Sequence, residues 1–212
     1  MQGRSVTEED YLKSIEELTI YSGYATLSEI SKLLGKKRQS VYDEIGILVN
    51  RGLVVRTGRG KYALSDSGRS EANRFLRKHR VAEILLWKAL KLPWETLDEE
   101  SMGIEHGMTE TIIARVCEMY GCVFCPHGNP VPEADGAVRD MDDMGFDEVK
   151  FFSRAKITRI IFETREVLSF LGENRLIPGS QVNIMEGRMY HDGSDEVVEI
   201  PDKIARAMRY HR

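Results

Sequence analysis

The side chains with the most chemistry to offer sit at helical spacing near the middle of the chain. Met102, Glu105 and His106 fall three and four residues apart, so a helix would turn a thioether, a carboxylate and an imidazole toward one space. His79 and Glu83 form a second pair upstream, at i and i+4. Carboxylate and imidazole suit Fe2+, Mn2+, Co2+ and Zn2+, whereas a soft thioether argues against Mn2+. Asp10 lies near the N-terminus, far from these pairs in the chain. Each residue also has an ordinary reading. Asp10 can complement a helix dipole, Met102 can fill a core, and the two pairs can be solvated helix pairs. Cys122-x2-Cys125-x-His127 looks like half a zinc site, but no second ligand pair follows at zinc-finger spacing. His127-Gly128-Asn129-Pro130 reads better as a tight turn, and no structural zinc is expected there. Cys122 and Cys125 can pair only in an oxidising setting.

The elements that must carry these residues follow from caps and periodicity. Ser5 with Glu8, and Thr7 with Asp10, have capping-box spacing, so a helix starts near residue 6, with Tyr11, Leu12, Ile15 and Leu18 on its apolar face. Thr26-Leu27-Ser28-Glu29 opens a short helix that Gly35 ends. A third helix carries Val41, Ile45, Leu48 and Val49 and closes at Arg51-Gly52. Leu53–Arg56 and Tyr62–Leu64 read as strands around a Gly-Arg-Gly tip. This order is that of a winged helix-turn-helix. Its third helix would enter the major groove through Lys36, Lys37, Arg38, Gln39, Ser40 and Tyr42, while Arg56, Arg59 and Lys61 on the wing would grip the backbone. Residues 36–61 hold seven basic and two acidic side chains. A winged helix used for protein contacts is the alternative.

Charge is divided in the same sense. Residues 1–90 carry 16 Lys/Arg against 11 Asp/Glu, which leaves 14 against 23 for the rest of a chain of net charge −4. A basic front third is compatible with binding a polyanion. Ser65 and Ser67 can cap a long helix that runs to about Leu90. Further helices are expected over Thr96–His106 and Thr109–Tyr120, enough apolar surface for a dimer interface. Residues 131–148 are rich in Asp, Glu, Gly and Pro and read as an acidic linker. Val149–Phe162 looks strand-like, Arg165–Gly172 helical, and Val182–Ile184 and Val197–Ile200 strand-like, which together make a small SH3-like barrel. The expected class is mainly α with small β parts. Its divisions are 1–65 winged helix, 66–130 helical dimerisation and metal-binding domain, 131–148 linker and 149–212 β barrel. No run of about 18 apolar residues exists, so no membrane helix is expected, and the polar N-terminus favours the cytoplasm.

Four stretches together carry a family resemblance: Thr7–Leu12, Arg77–Glu83, Met102–His106 and Cys125–Pro130. The chain resembles the diphtheria-toxin-repressor family of metal-dependent regulators over nearly its whole length. The resemblance implies a homodimer, operator DNA as partner, and a C-terminal domain like that of ferrous-transport accessory proteins. It also implies two metal sites. The regulatory one maps onto Asp10, Met102, Glu105 and His106. Iron-type members have Met at the first of these positions and Cys at the second; manganese-type members have Asp and Glu, so this chain is a hybrid. The ancillary site maps onto His79, Glu83 and Asp98, with Asp98 standing where iron-type members have His. Glu163 and Glu166 are possible stand-ins for ligands supplied by the C-terminal domain.

A metal-activated (Fe2+) repressor of metal-uptake genes is therefore expected, with Mn2+ as the alternative ion and Ni2+, Co2+ and Zn2+ also binding in vitro. A cation shared by Asp10 and the mid-chain ligands would set the spacing of the two recognition helices. A metalloenzyme fused to a DNA-binding module is the reading from another class. No nucleophile arrangement, phosphate loop or small-molecule substrate site supports it, so no enzyme is expected.

Overall fold

The computed structural model describes residues 7–149, 154–185, 188–193 and 197–211. Two compact units divide the chain: residues up to 77 with 132–138, and residues 78–131 with 139–212.

In the first unit, α1 (Glu8–Ser22) opens on a reciprocal cap. Thr7 Oγ1 accepts the Asp10 N–H, and Asp10 Oδ2 accepts the Thr7 N–H at 2.6 Å. The Ser5 pairing lies outside the described residues. Gly23, at φ 81°, ends the helix in the left-handed region. α2 (Leu27–Leu34) opens on the Thr26–Glu29 box, and α3 (Arg38–Asn50) buries Val41, Ile45 and Leu48. Leu12 and Ile15 of α1 and Ile30 of α2 are buried as well. β1 (Val54–Gly58) and β2 (Lys61–Leu64) form the antiparallel wing, with a register slip between Arg56 and Gly58. α4 (Asp66–Lys88) follows, with the Gly68 N–H bonded to Ser65 Oγ at 3.1 Å; its residues from Lys78 onward belong to the second unit.

In that unit, a 3-10 turn at Trp94–Thr96 leads into α5 (Leu97–Ile104). The α-helix expected through His106 stops at Ile104, and Glu105–Gly107 tighten into a second 3-10 turn. Gly103 and Gly107, poor helix formers, bracket the break. α6 (Glu110–Tyr120) is capped by Thr109. Val81, Ala82 and Ile84 of α4 pack with Ile113 and Val116 of α6, and with Met108 and Val131. Cys122 pairs with Cys117, not with Cys125, which is free and buried. Gly121, at φ 74°, folds the chain back on the last turn of α6 and brings the Cys117 and Cys122 Cα atoms to 4.9 Å.

The remaining elements are α7 (Phe146–Val149), β3 (Ala155–Ile160), α8 (Arg165–Glu173), β4 (Gln181–Met185), β5 (Arg188–His191), β6 (Val197–Val198), α9 (Asp202–Ala207) and β7 (Met208–His211). The strands form one antiparallel sheet in the order β6-β5-β4-β3-β7, the SH3-like part of the fold. Val149 ends a helix rather than starting a strand, and 150–153 lie outside the described residues. Within the acidic stretch, Asp143 takes a bidentate contact from Arg159 at 2.7 and 3.0 Å, which ties it to β3. No helix among the described residues is long and apolar enough to cross a membrane.

Candidate metal centre

Four donors converge in the second unit: Glu83 from α4, Cys125 and His127 from the loop after α6, and Glu163 from the segment after β3. Their ligand atoms all lie within 4.8 Å of one another. The loop is shaped by a turn, with the Gly128 N–H donating to the Cys125 carbonyl at 2.9 Å. It is fastened to β3 by the Ile160 N–H, which donates to the His127 carbonyl at 2.9 Å.

His127 decides the chemistry. Its Nε2 faces the Trp94 carbonyl at 3.0 Å, and a carbonyl only accepts, so Nε2 carries a proton. Nδ1 then faces Glu83 Oε1 and Glu163 Oε2, each at 2.7 Å. A lone pair against two carboxylate oxygens in a buried space demands positive charge, either a proton on Nδ1 or a cation among the donors. The titration behaviour follows. Burial acts to lower the His127 pKa, but the charges of Glu163 and Glu83 override it and hold the imidazole well above its usual value. Burial acts to raise Glu83, but His127 outweighs it and keeps that carboxyl below the usual range. Burial and the Glu83 charge raise Glu163. Burial, then the two carboxylates, push the Cys125 thiol up. Glu83 Oε2 is buried without a hydrogen bond. One imidazole, one thiol and two carboxylates, one of them with an oxygen to spare, fit a divalent transition metal.

A second group adjoins this one. His79 Nε2 lies 3.3 Å from Asp98 Oδ1 and 3.8 Å from Glu83 Oε1, and His79, Asp98 and Glu163 also bring ligand atoms within 4.8 Å of one another. His79 Nδ1 contacts Glu105 Oε2 at 2.6 Å, and Glu105 is fully buried. Glu105 Oε1 is 4.0 Å from His106 Nε2. Met102, on α5, is 37 % exposed. Asp10 belongs to the first unit, where one of its oxygens serves the α1 cap. Glu166 stands apart from these groups: it is exposed at the start of α8 and pairs with Lys203 at 2.6 Å.

The nucleic-acid candidates all fall on the first unit. Lys37, Arg38, Gln39, Ser40 and Tyr42 are exposed at or just before the start of α3, and Lys36 is half-buried. Arg56, Arg59 and Lys61 are exposed on the wing. Lys61 Nζ sits 3.7 Å over the Tyr24 ring, and Gln39 donates to Asp43 at 2.8 Å. Tyr42 and Arg56 line one cavity of about 360 Å³ between helix and wing.

Sequence reasoning passed over Cys125 and His127 as ligands. Their one-residue separation was a usable signal, because a tight turn such as the one from Cys125 to Gly128 can bring both side chains to one side. Zinc-finger spacing gives no hint of them, because their partners are carboxylates distant in the chain.

The crystal structure of T. acidophilum IdeR matches this fold with a TM-score of 0.94, at 51 % sequence identity over 98 % of this chain and 99 % of that one. The chain belongs to the diphtheria-toxin-repressor family. Residues 65–133 match the family model described as "Iron dependent repressor, metal binding and dimerisation domain". The diphtheria toxin repressor of Corynebacterium efficiens is 26 % identical over 220 residues, covering 97 % of this chain and 95 % of that protein. The manganese regulator SloR shares the fold, with a TM-score of 0.84 at 21 % identity over 99 % and 100 % of the two chains. Membership places this chain among metal-dependent transcriptional repressors, with a divalent metal as effector.

Proposed function

We propose that the chain is a metal-activated repressor: a homodimer that holds operator DNA through its winged helices when a divalent cation is bound. The observation that carries this reading is the buried cluster of Glu83, Cys125, His127 and Glu163 in a chain that also presents a basic recognition helix and wing. Bound there, the cation supplies the positive charge that His127 Nδ1 and the two carboxylates require. The protein holds the donors in place: the Trp94 carbonyl fixes the His127 tautomer, and β3 anchors the loop. Asp10, Met102, Glu105 and His106 form the regulatory set, with His79 and Asp98 beside the buried cluster; the family resemblance supports this assignment. Exposed Ile112 and Met119 on α6, with Leu90, supply apolar surface for a second copy of the chain.

The thiol and imidazole favour Fe2+ as the physiological ion. Mn2+ is the second reading, favoured by the oxygen donor at Asp10. The target genes are those of metal uptake. The decisive experiment is fluorescence anisotropy on a duplex from upstream of the protein's own gene, under anaerobic conditions, with Fe2+ and Mn2+ compared. Affinity rises about 5–150-fold with the activating ion. Binding of equal strength in excess chelator would end the proposal.

A further inference from the structure

We propose that Asn129 determines the metal preference of the buried centre, by tying up one oxygen of Glu163 so that this carboxylate offers a single ligand atom. This rests on reading the cluster as a metal site.

Asn129 is 2 % exposed and lies two residues beyond His127 on the ligand loop. Its carbonyl accepts the Cys125 N–H at 2.9 Å, so its backbone is part of the turn. Its Nδ2 reaches the Ile160 carbonyl at 2.6 Å and Glu163 Oε1 at 2.5 Å. Both partners are acceptors, which fixes which end of the amide is nitrogen and uses both of its N–H donors. Glu163 Oε1 is thereby committed to Asn129, while Oε2 faces His127 Nδ1 at 2.7 Å.

A carboxylate held this way binds a cation through one oxygen. With one oxygen from Glu83, the centre then offers one nitrogen, one sulfur and two oxygens. Four donors of that mixture suit Fe2+, Co2+ and Zn2+; Mn2+ favours more oxygen ligands. Without the Asn129 donor, Glu163 Oε1 is released to bind as well, the donor count rises, and the preference moves toward Mn2+. The device is rigid because Asn129 is clamped from two sides, by its own turn and by the end of β3.

The test uses the full-length protein and Co2+ alone as the first probe. Four-coordinate thiolate-bound Co2+ absorbs strongly in the visible, and the bands fade as coordination expands. Asn129→Ser should lower the visible bands severalfold while the sulfur-to-metal charge-transfer band persists. The ratio of Mn2+ to Zn2+ affinity, read by competition, should rise about tenfold. Asn129→Leu keeps the side-chain size, withdraws the donor without adding a ligand oxygen, and carries the same expectation if the serine variant does not fold. A merely structural role for Asn129 would change stability and leave the spectrum and the ratio alone. If wild type and Cys125→Ser both lack a thiolate band, the metal reading of the cluster fails, and this inference with it. If wild type has the band and both Asn129 variants keep its intensity and the affinity ratio, Asn129 has no part in metal choice.

Discussion

The second unit holds two sets of metal-seeking side chains built on opposite plans. Glu83, Cys125 and His127 are sequestered, Glu163 is largely so, and each is braced by a hydrogen bond or by the strand beside it. Met102 and His106 are partly open to solvent, and His106 rides on a short 3-10 turn between glycines. A braced and dry set holds whatever charge it contains as part of the fold. In the second set Glu105 is buried against His79, while Met102 and His106 stay accessible to an ion. We read the first as the anchor of the unit and the second as its sensor.

His127→Ala is the strongest way to break that contrast. It leaves Glu83 and Glu163 buried without the imidazole between them and costs about 3–5 kcal/mol, measured by urea unfolding of the metal-free protein. His106→Ala, partly exposed, should cost less than about 1 kcal/mol in the same assay. Equal losses would erase the distinction between anchor and sensor.

Asp10→Asn sharpens the sensor side. An amide oxygen still accepts the Thr7 N–H, so α1 keeps its full cap, whereas Asp10→Ala would also remove the Asp10 half of the reciprocal pair. With the carboxylate gone, the metal-dependent gain in operator affinity, about 5–150-fold in wild type, should vanish by anisotropy at nearly unchanged stability.

Acidity separates the two sets further. In the metal-free protein the His127 and Cys125 pKa values both lie well above their usual positions, so both groups are protonated at neutral pH. Ligation must displace these protons, so affinity at the buried centre falls as pH falls. Each proton contributes about tenfold per pH unit. Cys125→Ser removes one proton from this count and should flatten the slope by that amount in competition titrations. The sign for stability runs the other way. The raised His127 stabilises the metal-free fold below its unfolded pKa, and that contribution is lost as pH rises through its folded value. The smallest effect belongs to Glu166→Ala. Its exposed pairing with Lys203 is worth under about 1 kcal/mol, and elemental analysis should find the same metal content per chain.

The winged helix was legible because its signals are local. The Thr26–Glu29 box, the turn at Gly35 and the Val41–Ile45–Leu48 stripe each state their own structure. The metal centre was half legible for the converse reason. Spacing placed His79 and Glu83 on one helix face, but it carries no information on which distant groups they meet. Glu83 turns to His127 and His79 to Glu105, so the pair divides its contacts between two neighbourhoods. The break after Ile104 was missed because 102, 105 and 106 fit a helix by count, while the flanking glycines weaken it. β5 and β7 escaped notice because Arg188, His191, Arg209 and His211 interrupt their apolar residues.

Gly128 carries no functional group, yet the centre depends on it. It sits at φ 83°, and a Cβ there would lie 2.2 Å from the Thr158 carbonyl oxygen and 2.9 Å from Arg159 Cα. Loop and sheet meet along a seam with no room for one methyl. A wedge at this point would part Glu163 from its companions without touching any of them, so the smallest side chain in the loop acts as the hinge pin of its largest assembly.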